Sequence, residues 1–405
     1  MATAATRDSQ LTAGGNVEAE VLRRYRDGAQ QAEKGLCCPT EYDKASLAIL
    51  PRGIVEKDYG CGDPSAYVHP GETVVDLGSG AGKICYILAH KVGAEGRVIG
   101  VDFNDDMLAL SRKYLDEMAE KLGYGNVRFV KGMIQDLALD LDHAQSWLDE
   151  HPIAAVEDLY DYHAECDRLR REVTLIADGS VDVIVSNCVL NLSRPEDKGR
   201  LFVEMHRVLR KGGRAVISDI VCDKDPTPEI KADPDLWSGC IAGAMREDEF
   251  LEMFERAGFY GIEVLVRQAE PWQVIDGIEF RSVTVQAFKG KDGPCVERNQ
   301  AIIYKGPWKC VCDDDGHTLY RGRRMAVCDK TFNIMTDPNG PYAGRIVPVP
   351  PIKDIPLDEA GPFDCSRSDT RHPRETKGLD YRPTRTSKDG PCCGPDCCDT
   401  ERPGV

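Results

Sequence analysis

Residues 73 to 92 constrain the fold more than any other stretch of this chain. Thr73 to Leu77 is a β-branched run, Gly78-Ser-Gly80-Ala-Gly82 is a turn of small residues, and Lys83 to Val92 carries apolar residues three and four apart. Strand, glycine turn and helix in that order bring bare backbone to a ligand where side chains would collide. The glycines alone suit a tight turn in any α/β protein. Here Asp102 also closes the next β run, Arg97 to Val101, where a carboxylate can accept hydrogen bonds from both hydroxyls of a ribose.

The same rhythm continues downstream. Asn104 caps a predicted helix through Leu122, and Val127 to Val130, Val181 to Ser186 and Ala215 to Ser218 read as the third, fourth and fifth strands. Ile262 to Arg267 and Arg281 to Phe288 read as the last two strands, paired as a hairpin at the sheet edge. The expectation is an α/β fold, a doubly wound, mostly parallel, Rossmann-like sheet of seven strands. A small C-terminal domain and a Cys-rich tail follow it.

Asp140 to Ile176 interrupts the alternation with two charged helical stretches longer than a crossover needs, so 140–176 reads as an insertion. Upstream, Val17 to Lys34 reads as an amphipathic helix packing on the main domain. The predicted organisation is an N-terminal arm (1–58), the main domain (59–290), a small domain (291–355) and a flexible tail (356–405).

The formal charge of −17 and the absence of a basic helix face argue against nucleic acid as partner and for a small molecule. No apolar run reaches the roughly 18 residues of a membrane span, and Met1 to Gly15 lacks the apolar core of an export signal. A cytoplasmic monomer is the expectation. In that reducing compartment the 17 cysteines stay thiols, free for soft metals or redox exchange.

Two adenosine-bearing ligands suit the glycine turn, a dinucleotide and S-adenosylmethionine. The dinucleotide fingerprint places its third glycine one residue later than Gly82. The turn resembles the first motif of class I S-adenosylmethionine-dependent methyltransferases. Asp102 matches the ribose-binding acid of that family, Gly132-Met133-Ile134 falls where it contacts adenine, and Ser186-Asn187-Cys188 falls at the end of its fourth strand. Arg210-Lys-Gly-Gly213 fits its approach to strand five. The resemblance implies a cofactor set of Tyr59, Gly60, Asp76, Gly78, Ser79, Gly80, Gly82, Asp102, Phe103, Met107, Gly132, Met133, Ile134 and Asn187. For Met107 and Met133, core packing is an equal reading.

The acceptor is suggested by cysteine. Oxygen and nitrogen acceptors usually need a general base, and none stands out at the fourth strand. Ser186-Asn-Cys188-Val-Leu-Asn-Leu192, with Tyr59-Gly-Cys61-Gly62 and Leu236-Trp-Ser-Gly-Cys240-Ile-Ala-Gly-Ala244, resembles arsenite S-adenosylmethionine methyltransferases at three separate places between 59 and 250. That resemblance implies Cys61, Cys188 and Cys240 as thiolate ligands of trivalent arsenic, delivered as arsenite or its glutathione conjugate. Soft thiolates select soft centres. Three sulfurs on trivalent arsenic leave one lone pair at the apex, which is itself the nucleophile, so alignment rather than a base is required. The products implied are mono- and dimethylated arsenicals.

The family also carries an upstream cysteine that exchanges with the Cys61 equivalent. Here the position is a pair, Cys37 and Cys38, which the resemblance makes candidates for redox cycling, with glutathione or thioredoxin restoring the thiols. Cys85, Cys222 and Trp237 read as ordinary buried residues, and Cys166 is open. Cys310, Cys312 and Cys328 fall short of a four-ligand zinc set. Cys392, Cys393, Cys397 and Cys398 form two vicinal pairs suited to capturing a soft metalloid, although a dispensable end is an equal reading. Two rivals stand beside arsenite methylation: a methyltransferase for a small organic acceptor, and a thiol-rich metalloid-binding protein.

Overall fold

The structure is a computed structural model and describes residues 17–30, 42–55, 59–366 and 369–378. The chain divides after Asp292 into two compact units.

In the first unit, β1 (Thr73–Leu77), β2 (Arg97–Asp102), β3 (Val127–Lys131), β4 (Val181–Asn187) and β5 (Leu209–Cys222) pair in parallel in the order β3-β2-β1-β4-β5. β6 (Tyr260–Arg267) and β7 (Ile278–Phe288) complete the sheet, with β7 antiparallel between β5 and β6. Two short strands lie off this order: Met245–Arg246 beside β5, and Gln273–Ile275 beside β7. Central β1 is buried on both faces, Val74 in one apolar cluster and Val75 and Leu77 in another, because helices cover both sides of a parallel sheet. The carboxyl ends of β1 and β4 diverge at the switch point, where such sheets bind ligands.

Helix α1 (Val17–Gln30) precedes the sheet, and α2 (Lys83–Val92) starts at Gly82, φ 86°, and stops at Gly93. The predicted helix 104–122 is two helices, α3 (Asp105–Arg112) and α4 (Leu115–Leu122). The bend between them turns Tyr114 onto Gly53, where a Cβ would collide with the phenol, while Met118 reaches the core. β5 is far longer than the predicted Ala215–Ser218. Two charged residues hid it: Arg214 is paired with Glu72 at 2.7 Å, and buried Asp219 accepts three N–H bonds. The insertion forms α5 (Leu141–Glu150) and α6 (Val156–Glu172), with a small core of Leu139, Ala144, Cys166 and Leu169. Cys166 is thereby a packing residue. α7 (Pro195–Val208) and α8 (Glu247–Arg256) back the far half of the sheet, where Phe202, Phe250 and Phe254 meet edge to face.

The second unit holds a three-stranded antiparallel sheet, Arg324–Ala326, Ala301–Tyr304 and Ile346–Val349, with the helix Asp329–Thr336 against it. Residues 361–366 and 369–378 belong to this unit, although the sequence reading began a flexible tail at 356. Gly361–Pro362 pairs with Val296–Glu297, and Arg371, 0% exposed, sets its guanidinium on Glu297, Glu375 and the Gln300 carbonyl. One buried arginine surrounded by polar sequence leaves no apolar periodicity to read. No helix among the described residues is long and apolar enough to cross a membrane.

Candidate active site

At the carboxyl ends of β1, β2 and β4 a cleft of about 1040 Å³, its mouth included, opens beside the glycine turn. Tyr59, Asp76, Gly78, Ser79, Gly80, Asp102, Phe103, Met107, Met133, Ile134, Asn187 and Cys188 line it. Gly60, Gly82 and Gly132, also in the expected cofactor set, are not among the lining residues. Each leaves no room for a side chain: a Cβ on Gly60 would collide with the Asn187 amide, one on Gly82, whose backbone is also left-handed, would lie 2.7 Å from Phe129, and one on Gly132 would lie 2.6 Å from Leu175. The cleft also takes residues that the sequence reading passed over, Val21 and Tyr25 from α1, Asn104 and Gln135 among them. For the α1 pair the signal was the apolar face of the predicted helix, which by itself says nothing about what it covers.

Asp102 is preorganised. Its Oδ2 accepts the Gly80 N–H at 2.8 Å and its Oδ1 the Asn104 N–H at 2.9 Å, tying the acid to the turn. Burial pushes its carboxyl up, and these backbone donors oppose that. Asp76 faces the cleft but also accepts the Cys85 thiol at 3.2 Å, and burial, then Asp76, hold that thiol well above its usual range. Cys85 and Cys222 are both fully buried, as expected of structural thiols; burial pushes Cys222 up to about 12. Gly78, φ 69°, and Gly80, φ 50°, hold left-handed backbone, and the Ser79 hydroxyl is buried without a hydrogen-bond partner.

Cys61, Cys188 and Cys240 come together from three distant segments, 5%, 7% and 3% exposed. The three share one buried cluster. Cys240 Sγ donates to the Cys188 carbonyl at 3.0 Å. Their packing partners are apolar: Ile220, Phe280 and Trp237, whose indole N–H donates to Leu192 O. The neighbouring Cys240 and Cys61 side chains, then burial, hold the Cys188 thiol well above its ordinary value. Burial raises Cys61.

The cluster is held from behind. Asn187 Oδ1 accepts the N–H groups of Cys61 and Gly62 at 2.9 and 3.1 Å, and its Nδ2 donates to Gly62 O at 2.8 Å. Ser282 Oγ donates to Cys61 O at 2.6 Å. Cys188 and Cys240 both hold positive φ, 63° and 64°, a conformation that costs a non-glycine residue about 1 kcal/mol or more. Their loops are tied together by Asp219, which accepts Leu190 N–H at 2.8 Å and Asn191 Nδ2 at 2.9 Å, and by Asn191 Nδ2, which reaches the Cys240 carbonyl at 3.3 Å. Lys198, nearly buried, donates to Gly243 O. Burial lowers that ammonium to about 8 and raises the Asp219 carboxyl to about 6.

Residues 68–173 and 165–258 match the profile of a family described as a methyltransferase domain. An arsenite methyltransferase of Aquipseudomonas alcaligenes is 33% identical over 308 residues, 73% of this chain and 78% of that one. The chain belongs to the arsenite methyltransferase family. The human member is 30% identical over 72% of this chain and 71% of its own length. The solved structure of an arsenic(III) S-adenosylmethionine methyltransferase from Chlamydomonas reinhardtii is 27% identical, with a TM-score of 0.52, covering 81% of this chain and all of that one. Residues 291–381 match a domain of unknown function, DUF8838.

Outside this site, Cys310 and Cys312 are exposed on one strand of a hairpin, whereas Cys328 is buried and caps the helix Asp329–Thr336. Among the described residues these cysteines form no joint ligand set, and the group with ligand spacing is Asp313, Asp315 and His317. Cys37, Cys38, Cys392, Cys393, Cys397 and Cys398 lie outside the described residues.

Proposed function

We propose that this chain methylates trivalent arsenic, using S-adenosylmethionine as donor and Cys61, Cys188 and Cys240 as the thiolates that hold the metalloid, giving mono- and dimethylated arsenicals. The observation that carries the reading is the convergence of three buried cysteines in one cluster, one of which walls the cleft. The cleft suits the cofactor on its own features. The unpartnered Ser79 hydroxyl awaits a polar ligand, the left-handed glycines leave backbone exposed, and Asp102 keeps lone pairs for ribose hydroxyls. When bound, S-adenosylmethionine supplies an electrophilic methyl group on a sulfonium.

The residues of the chain do the rest by binding and orientation. Each thiol exchanges its proton for arsenic as a hydroxide on arsenite leaves as water, so the exchange needs no separate base. A small organic acceptor would not call for three converging thiols, and a mere metalloid buffer would not need the preorganised Asp102.

Further assignments follow the same reading. Donating the lone pair leaves arsenic two electrons more oxidised, and we assign their return to disulfide formation between Cys61 and Cys37 or Cys38, with glutathione or thioredoxin as the outside reductant. A Cys37→Ser, Cys38→Ser protein that matches wild type through repeated turnovers would remove that step. The tail pairs Cys392-Cys393 and Cys397-Cys398 are assigned to metalloid capture; deletion beyond residue 388 should raise the arsenite concentration for half-maximal rate. The deciding experiment incubates reduced protein with S-adenosylmethionine, glutathione and arsenite, then separates arsenic species with element-specific detection. Methylated arsenic above a cofactor-free control is expected. None, from protein that binds both ligands, would favour a metalloid-binding role.

A further inference from the structure

In the second unit Cys328 is buried as the cap of the helix Asp329–Thr336, which leaves Cys310 and Cys312 as an exposed pair of free thiols. They stand two residues apart on the strand Cys310–Cys312, which pairs antiparallel with Thr318–Tyr320. Side chains alternate across a strand, so residues two apart share a face. The residue between them says which face that is. Val311 lies opposite Leu319 in the register, and both pack on the apolar cluster that holds Ile302, Met325 and Met335. Both thiols therefore leave the other face of the hairpin, toward solvent.

The hairpin holds this register at both ends. Arg321 N–H donates to Lys309 O at 3.0 Å, and Asp313 N–H to His317 O at 3.1 Å. Asp313 also closes the turn: its Oδ1 accepts the Asp315 and His317 N–H groups at 3.1 and 2.8 Å, and its Oδ2 lies 2.9 Å from His317 Nδ1. Cys312 Sγ donates to Asp313 O at 3.6 Å, a long contact that leaves the residue exposed. The two sulfurs are presented by a braced strand.

Two thiols on one face can close a disulfide or chelate a soft centre. Along an antiparallel strand, Cα atoms two residues apart lie about 6.7 Å from one another. That is the far limit of the roughly 4.4 to 6.8 Å that a disulfide spans. An arsenic atom between the sulfurs lengthens the bridge by one bond and relieves that limit. Soft thiolates select such a centre, and the second As–S bond forms within one molecule, which favours a pair over a single thiol. The number of thiols then selects the arsenical. Two sulfurs satisfy a trivalent arsenic that already carries one carbon, whereas arsenite keeps a third exchangeable hydroxide and a dimethylated arsenical has only one to give.

We propose that Cys310 and Cys312 form a dithiol site for mono-organic trivalent arsenicals, of which methylarsonous acid is the simplest. Each S–H gives its proton to a hydroxide on arsenic. Two As–O bonds break, two As–S bonds form, two waters leave, and nothing is oxidised or reduced. The site's chemistry stands on the hairpin; that this chain itself makes such an arsenical rests on the proposed function.

Reduced full-length protein is incubated with methylarsonous acid, alkylated with N-ethylmaleimide and digested with trypsin. Cleavage after Lys309 and Arg321 releases residues 310–321, whose only cysteines are these two. Both are expected to escape alkylation together. Cys310→Ser should raise the concentration that protects Cys312 by about a hundred-fold or more. Dimethylarsinous acid should fail to protect the pair where methylarsonous acid succeeds. Complete alkylation of both thiols at concentrations that saturate dithiothreitol would overturn the proposal, as would equal protection of Cys312 with and without Cys310. Recovery of 310–321 as an internal disulfide from arsenical-free protein in glutathione buffer would make the pair a redox couple instead. Protection of Cys310 and Cys312 in protein whose Cys61, Cys188 and Cys240 stay unprotected by arsenite would overturn the three-thiol reading and leave the dithiol site standing.

Discussion

The cofactor wall and the thiol cluster adjoin within one unit but are built by opposite routes. The heart of the wall is continuous chain, β1, the glycine turn, α2 and β2, with the Gly80 N–H on Asp102 only 22 residues away, and other segments complete the cleft around it. The cluster draws on distant segments, and the bond from Ser282 to the Cys61 carbonyl spans 221 residues. Left-handed backbone in the wall falls on glycines, which adopt it at no steric cost. In the cluster it falls on two cysteines, whose strain must be offset by the Asp219 and Asn191 hydrogen bonds. The wall is therefore a local motif that any suitable sheet can carry, whereas the cluster exists only when the whole unit is assembled.

Substitutions that strike one half and spare the other test this contrast. Cys188→Ser is expected to have the largest effect, a loss of about a thousand-fold or more in arsenite methylation, because an alkoxide donor does not replace a soft thiolate. Binding of S-adenosylmethionine, followed by calorimetry, should stay unchanged; if it collapses too, the two halves are not separable. Gly78→Ala comes next. Its φ of 69° disfavours alanine, and the new Cβ would collide with Val189, the neighbour of Cys188. Cofactor affinity should fall by about ten- to a hundred-fold, with some loss of stability. A wild-type dissociation constant would show the turn to be more pliant than its contacts allow. Asn191→Ala should be milder, about ten-fold in arsenite turnover with cofactor binding intact, since it leaves Asp219 and the Cys240 carbonyl short of a buried donor.

The same contrast explains what could be read from the sequence. The strand, turn, helix and acid of the wall follow from local periodicity and glycine placement, so the elements from Thr73 to Asp102 stand where the pattern puts them. Cys61, Cys188 and Cys240 were singled out by family resemblance, and no spacing rule could have shown that they meet. Asp219 escaped notice because a carboxylate within an apolar run reads as the end of a strand, and its three N–H partners are supplied by tertiary structure. Arg371 escaped for the same reason in the second unit. The side chains packed against Gly60, Gly82 and Gly132 were not legible either, because sequence alone does not show what lies where a Cβ would be.

The smallest expected effect probes what the cluster costs. Burial raises the Asp219 carboxyl from 3.8 to about 6, so the folded state holds this proton more tightly than the unfolded state does. A group of that sign contributes fully at low pH and progressively less as pH rises from about 4 to 6, a loss of at most roughly 3 kcal/mol. Asp219→Asn removes the titration while keeping one acceptor oxygen. Carboxylates elsewhere shift the unfolding temperature of both proteins alike, so the informative quantity is the difference between them. Wild type should lose stability relative to Asp219→Asn across that window and hold a constant offset above it. A difference that does not change with pH would mean the carboxyl is less desolvated than its surroundings imply. The strain at Cys188 and Cys240 would then have to be offset by packing against Trp237 and Phe280 rather than by this network.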